Sequence, residues 1–133
     1  MPFTTHMDHA ILNEFFGGAN YVPPSNLYVG LSTTAPTKAG GNITEPSGNG
    51  YARVAIANNT TNFPNASGGS KSNGSTITFP EATGTWGTIT HFVIYDAQTG
   101  GNALVYGDIA TPKLIEANDT PSFNTGALTI SIS

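Results

Sequence analysis

The stretch Thr88-Ile89-Thr90-His91-Phe92-Val93-Ile94-Tyr95 decides the fold class. Phe92 to Tyr95 are apolar on both faces of an extended chain, the pattern of a central strand covered on both sides. Residues 96–102 follow as a turn holding Gly100-Gly101, and residues 103–109 return as the partner strand, the strongest hairpin signal in the chain. Pro112 ends that second strand in this reading, which leaves residues 113–116 as a separate extended piece. Just before the hairpin, Trp86-Gly87 reads as a core plug beneath a sharp bend, with the glycine allowing close backbone approach.

Outward from the hairpin, the remaining strands show a two-residue period. Leu27, Val29 and Leu31 alternate with Tyr28, Gly30 and Ser32. In residues 51–57, Val54 and Ile56 point inward and Arg53 outward. Ile77 and Phe79 share a face, and Leu128, Ile130 and Ile132 alternate with Thr129, Ser131 and Ser133 in a half-buried closing strand. Residues 35–50 and 58–74 read as loops. The second spans 17 residues, beyond the roughly 12–15 usual in compact domains. At the other end, Met7, Ile11 and Phe15 recur every four residues, with Leu12 and Phe16 beside them. Thr4 or Thr5 can cap this helix and Gly17-Gly18 end it. About eleven residues is marginal for a helix alone, so it must dock. The expected fold is mainly β: a single antiparallel β-sandwich, Ig-like or jelly-roll-like, with one short N-terminal helix. Residues 1–25 form the helix and arm and residues 26–133 the sandwich, with Trp86, Phe92, Ile94, Leu128 and Ile130 in its core.

Composition narrows the function. The 133 residues hold four Lys or Arg and eight Asp or Glu, 9% against the roughly 25% usual in soluble chains. Neutral polar groups replace them: 19 Thr, 13 Asn and 10 Ser. With 16 Gly and 9 Pro this excludes a coiled coil, while 38% hydrophobic residues suffice for a core and argue against disorder. A net charge of −4, with Lys38, Arg53, Lys71 and Lys113 scattered singly, argues against nucleic acid and against a polybasic membrane contact. No apolar run approaches a membrane span, and a signal peptide is not expected because Asp8 and Glu14 interrupt the N-terminal apolar run.

No constellation points to catalysis, a cofactor or a metal. His6 and His9 could share a metal but lack a third ligand, and His91 reads as a residue hydrogen-bonded within the sheet. There is no Gly-x-Ser-x-Gly elbow, and among eight acids a close pair such as one involving Asp96, Asp108, Glu81 or Glu116 is expected by chance. Residues 116–120 lack a calcium-loop pattern, and Gly40-Gly41 and Gly68-Gly69 are turn formers rather than phosphate cradles. The six Asn-x-Ser/Thr triplets, at Asn42, Asn58, Asn59, Asn65, Asn73 and Asn118, are chance matches in an Asn- and Thr-rich chain. Arg53, the sole arginine, has Asp96 or Asp108 as candidate carboxylate partners, or stands as a solvated edge charge.

An ordered series of segments carries a family resemblance. After Pro23-Pro24 comes Asn26-Leu27-Tyr28-Val29-Gly30-Leu31-Ser32-Thr33-Thr34-Ala35-Pro36. Then follow Gly50-Tyr51-Ala52-Arg53, Ile77-Thr78-Phe79-Pro80, Thr85-Trp86-Gly87-Thr88-Ile89-Thr90-His91-Phe92, Tyr95-Asp96-Ala97, Gly100-Gly101-Asn102 and Thr111-Pro112-Lys113. Over roughly residues 8–133 the chain resembles the small tailed-bacteriophage structural proteins usually labelled phage tail fibre protein. The resemblance implies a non-enzymatic virion component with a β-sandwich core, assembled in the host bacterial cytoplasm. Two roles follow. A capsid decoration (cement) protein on the outer shell is favoured by the short length, the lack of a shaft and the apolar helix. The alternative is a tail fibre or receptor-binding tip module. Expected partners are further copies of the chain in a homotrimer and a major capsid or tail protein. Met7, Ile11, Phe15, Phe16, Tyr28 and Tyr51 are the candidate assembly contacts, with the 36–50 and 58–74 loops. Host glycan is a further candidate ligand, stacked on Tyr28, Tyr51, Tyr95 or Tyr106.

Overall fold

The computed structural model describes residues 3–131, so Ile132 of the expected closing strand lies outside them. Eight strands and one helix follow in the order α1 (Thr5–Phe15), β1 (Asn26–Ser32), β2 (Val54–Ala57), β3 (Ser70–Ser72), β4 (Ile77–Thr78), β5 (Gly87–Tyr95), β6 (Ala103–Ile115), β7 (Ser122–Phe123) and β8 (Thr129–Ser131). The principal sheet has the order β2-β1-β5-β6, antiparallel throughout. Thus β5 is central, as its two apolar faces require, with Val93, Ile94 and Tyr95 buried.

The hairpin turn is closed by its own side chains. Asp96 accepts from the Asn102 backbone N–H at 2.7 Å and from the Asn102 amide at 3.1 Å, while Gly100 and Gly101 take positive φ of 60° and 70°. Burial pushes the Asp96 carboxyl up, but the Asn102 hydrogen bonds outweigh it and hold it below the ordinary carboxylate range.

Two expectations need correction, and a third is met in its coarser part. First, Pro112 does not end the returning strand, which continues to Ile115. His91 pairs with Asp108 and Ile89 with Lys113, so residues 109–112 oppose Thr90 alone and leave the ladder as an excursion. Pro112 sits in that excursion on an edge strand, where its missing N–H breaks no ladder bond. Second, the 58–74 segment is not all loop: β3 lies within it and pairs with β8, Ser70 opposite Ser131. A three-residue polar strand, Ser-Lys-Ser, carries no apolar alternation and so no sequence signal. Third, the expected sandwich appears as one four-stranded sheet plus two two-stranded ladders, β3-β8 and β4-β7. The described fold is therefore mainly β and antiparallel, with one short helix. Strands of two or three residues are too short to join a continuous second sheet.

One apolar core lies beneath these ladders. Val29, Leu31, Phe92 and Ile94 from the sheet meet Ile77, Phe79, Trp86 and Leu128, all buried. Ile130 is half-buried at the margin of this cluster. Phe79 contacts Trp86 and Phe123 edge to face, at 6.5 and 6.2 Å between ring centroids. Trp86 precedes Gly87 at φ 86°, the bend that turns the indole inward.

A polar knot fastens the return of the chain. Asn73 is 2% exposed; its amide oxygen accepts from the Leu128 N–H at 2.9 Å and its amide nitrogen donates to the Ser75 and Asn124 carbonyls, each at 2.9 Å. Its Asn-x-Ser/Thr triplet is thus committed to the interior. Asn73→Ala is expected to cost about 2–3 kcal/mol, because it leaves the buried Leu128 N–H and the Ser75 carbonyl without partners, while the Asn124 carbonyl still accepts from the Ala127 N–H. A shift in the urea unfolding midpoint measures this, and a loss under 0.5 kcal/mol would show the knot to be dispensable.

Candidate functional site

Two regions gather the candidate residues: the end of α1 and a charged cluster over the sheet. The helix begins at Thr4, whose hydroxyl accepts from the Met7 N–H at 3.3 Å and donates to the Ala103 carbonyl at 2.7 Å. The Thr4 N–H also donates to the Leu104 carbonyl, and Phe3 bridges Val105. Lys38 ties loop to helix, 2.6 Å from Asp8 and 2.8 Å from the Phe3 carbonyl. The start of the helix is therefore stitched to the β6 edge.

This docking divides the six candidate assembly contacts. Met7 packs against the core margin and Ile11 lines an apolar groove of about 310 Å3 with Ile94, Leu104 and Val105. Phe15 and Phe16, at the C-terminal end of the helix, are 78% and 79% exposed, with Leu12 and Val22 also exposed. Tyr28 is half-buried on the sheet. Tyr51 turns inward: its ring lies 5.3 Å edge-on from Trp86 and 6.5 Å from Phe79, so it serves the core.

The Tyr51 hydroxyl reaches through to the second region. It accepts from the Leu31 N–H at 3.0 Å, beyond the last β2 pair, and donates to Glu45 at 2.5 Å. Glu45 in turn receives both Nε (3.1 Å) and Nη2 (2.7 Å) of Arg53, a two-pronged pair. Arg53 Nη1 donates to the Ala97 and Gly100 carbonyls, each at 2.8 Å, and its guanidinium lies 3.4 Å over the Tyr95 ring. Neither anticipated partner of Arg53 is used. Asp96 is spent on its turn, and Asp108 lies 2.9 Å from His91 Nε2 across the hairpin. The sequence reading missed Glu45 because it lies in a glycine- and proline-rich loop that carries no periodic pattern.

Electrostatics follow from this packing. Burial pushes the Glu45 carboxyl up, but hydrogen bonds from Arg53 and Tyr51 and the Arg53 charge outweigh it and hold it low. Burial and the Glu45 charge push the Tyr95 phenol up to about 12, and burial with the Glu45 hydrogen bond pushes Tyr51 further still. Every strong group is satisfied within the chain. The arrangement braces the 36–50 loop, the start of β2 and the hairpin turn against one another, and nothing in it presents a nucleophile beside a base. His6 and His9 are exposed, and no three His, Asp or Glu among the described residues are placed to hold a metal ion.

The cluster stands on Gly30. A Cβ there would lie 2.9 Å from Glu45 Oε2, 2.9 Å from the Tyr51 hydroxyl and 3.1 Å from the Tyr95 ring. Gly30→Ala is expected to force these groups apart and cost about 2 kcal/mol. Thermal unfolding checks this, and an unchanged midpoint would mean that the cluster shifts freely.

No curated protein matches the chain at a significant level. A family model described as Podophage GP4 fiber I protein gp80 matches residues 2–131. That description favours a fibre over the outer shell, so the expectation of a capsid decoration protein gives way to its alternative. With nearly the whole sequence matched, and a mainly β structure to go with it, the chain belongs to this family of phage tail-fibre-type proteins and is a component of the virion.

Proposed function

We propose that the chain is a non-enzymatic structural module of a phage tail fibre, and that it packs against other fibre subunits through the exposed end of α1. The observation that carries this is the pair Phe15 and Phe16, left 78% and 79% exposed while Met7 and Ile11 of the same helix pack on the sheet side. Adjacent bare aromatics on a chain with so few charges favour a permanent contact, because little charge has to be desolvated. The four-stranded sheet and the two short ladders serve as the two layers of one rigid sandwich, an arrangement supported by the single core they share. Antibody labelling of intact virions tests the location. Label on tail fibres, at tens of copies or fewer, is the expected result; label spread over the shell in hundreds of copies would overturn it.

A second reading, contact with host-surface glycan at a fibre tip, is favoured by a polar depression of about 280 Å3 bordered by Glu45, Pro46, Arg53, Gln98 and Thr99. Its size suits a sugar unit, and its polar rim offers hydrogen bonds. A glycan array probed with the full chain separates the readings: specific binding, abolished by Gln98→Ala, supports a tip, and an empty array removes it.

A further inference from the structure

We infer that the aromatic pair at the end of α1 in one copy seats in the apolar cavity beneath the β6 excursion of a second copy, so that the chain associates head to tail. This rests on the reading of the protein as an assembling module and adds both halves of the contact.

The cavity, about 270 Å3, opens where residues 109–112 leave the β5 ladder. Leu31, Phe79, Ile89, Ile109, Ile115 and Phe123 form its apolar walls. An apolar cavity of roughly 150 Å3 holds benzene, so a phenyl ring fits here with space remaining. The opposite half is Phe15 with Phe16, projecting from a helix end. Hole and knob lie on different patches of the same molecule.

Charge matches them. Lys38 pairs with Asp8, Arg53 with Glu45, and Lys71 donates to the Phe63 carbonyl. Lys113, at the cavity wall, is the one Lys or Arg among the described residues whose side chain has no ion-pair or hydrogen-bond partner. Glu14 immediately precedes the aromatic pair; one carboxylate oxygen accepts from the Tyr21 N–H at 2.6 Å, leaving the other for an incoming cation. Seating the knob thus brings an acid to the unpaired lysine. Because the two patches differ, the contact is heterologous, and it closes as a ring or continues as a filament according to its rotation.

Sedimentation velocity on the full chain tests this. The natural sequence is expected to self-associate, and Phe15→Ser with Phe16→Ser to weaken association about a hundredfold. Ala127→Trp, which fills the cavity from an exposed wall position, is expected to do the same with an unchanged unfolding midpoint. Mixing the two variants is the decisive arm. One retains the hole and the other the knob, so together they form a 1:1 dimer and nothing larger. Lys113→Glu, a surface change, is expected to weaken association about fivefold and Glu14→Lys in the same chain to restore it. A monomeric natural chain, a mixture that stays monomeric, or an Ala127→Trp chain that associates normally would each overturn the inference. Those results leave the fibre location untouched, since labelling of virions tests that separately.

Discussion

Trp86→Ala is expected to remove about 4 kcal/mol of folding stability, the largest effect of any single side chain in this fold. The indole is 4% exposed and wedged between Tyr51 and Phe79, at 5.3 and 6.5 Å between ring centroids. Its Nε1–H donates to the Asn49 carbonyl at 2.8 Å, which pins the 36–50 loop over the core. Truncation opens a cavity on a face where Tyr51 is held by its hydroxyl and cannot collapse inward. A domain of this size has only about 5–15 kcal/mol in total, so the variant is left close to the threshold of folding. Trp86→Phe separates packing from the hydrogen bond and should lose only about 1–2 kcal/mol. Urea unfolding of both variants reads the difference, and an alanine loss below 1 kcal/mol would refute the wedge.

The second large effect belongs to Arg53, with a loss of about 3 kcal/mol expected for Arg53→Ala. Its side chain is 8% exposed and that of Glu45 22%, so removing the guanidinium leaves a partly desolvated carboxylate and frees the Ala97 and Gly100 carbonyls. In a chain of this length the melting temperature should fall by about 10 °C. The pH dependence gives an independent readout. Glu45 is held below its ordinary range, so its contribution is complete above about pH 5 and is lost as pH falls through the folded value. Tyr95 is pushed up to about 12, so its contribution is complete below about pH 10 and is lost as pH rises toward 12. Stability should form a plateau between these limits. Arg53→Ala, with Glu45 no longer held low, should flatten the acid side. An acid limb identical to that of the natural sequence would show the pair to be energetically idle.

What the sequence made legible was whatever carries a local period. The β5–β6 hairpin, the alternation of β1, the capped helix and the Trp86-Gly87 bend all follow from neighbours within a few residues. β4 was legible through Ile77 and Phe79 on one face, whereas the two-residue β7 belongs to the same core but is too short to show a period. Pro112 misled because proline marks the end of a strand only where the strand is paired on both sides. Glu45 and Arg53 were unreadable as a pair, for seven residues of loop separate them and only the fold brings them together. The candidate contacts divided for the same reason: Tyr51 looks like any tyrosine beside a turn until Trp86 is seen against its ring. Phe15 and Phe16 continue the helical stripe of Met7 and Ile11, yet the sheet ends before the helix does.

The β6 margin has a colloidal consequence. A chain with only four cationic and eight anionic side chains has little mutual repulsion to keep its copies apart at high concentration. The open flank of a sheet is then the natural starting point for runaway fibrillar aggregation. Here that flank is shielded at Leu104 and Val105 by Phe3 and Thr4, and interrupted farther along by Pro112 in its four-residue detour. Along β6 a neighbouring copy is thereby denied backbone zippering, which leaves side chains as the means of contact on that flank of a charge-poor protein.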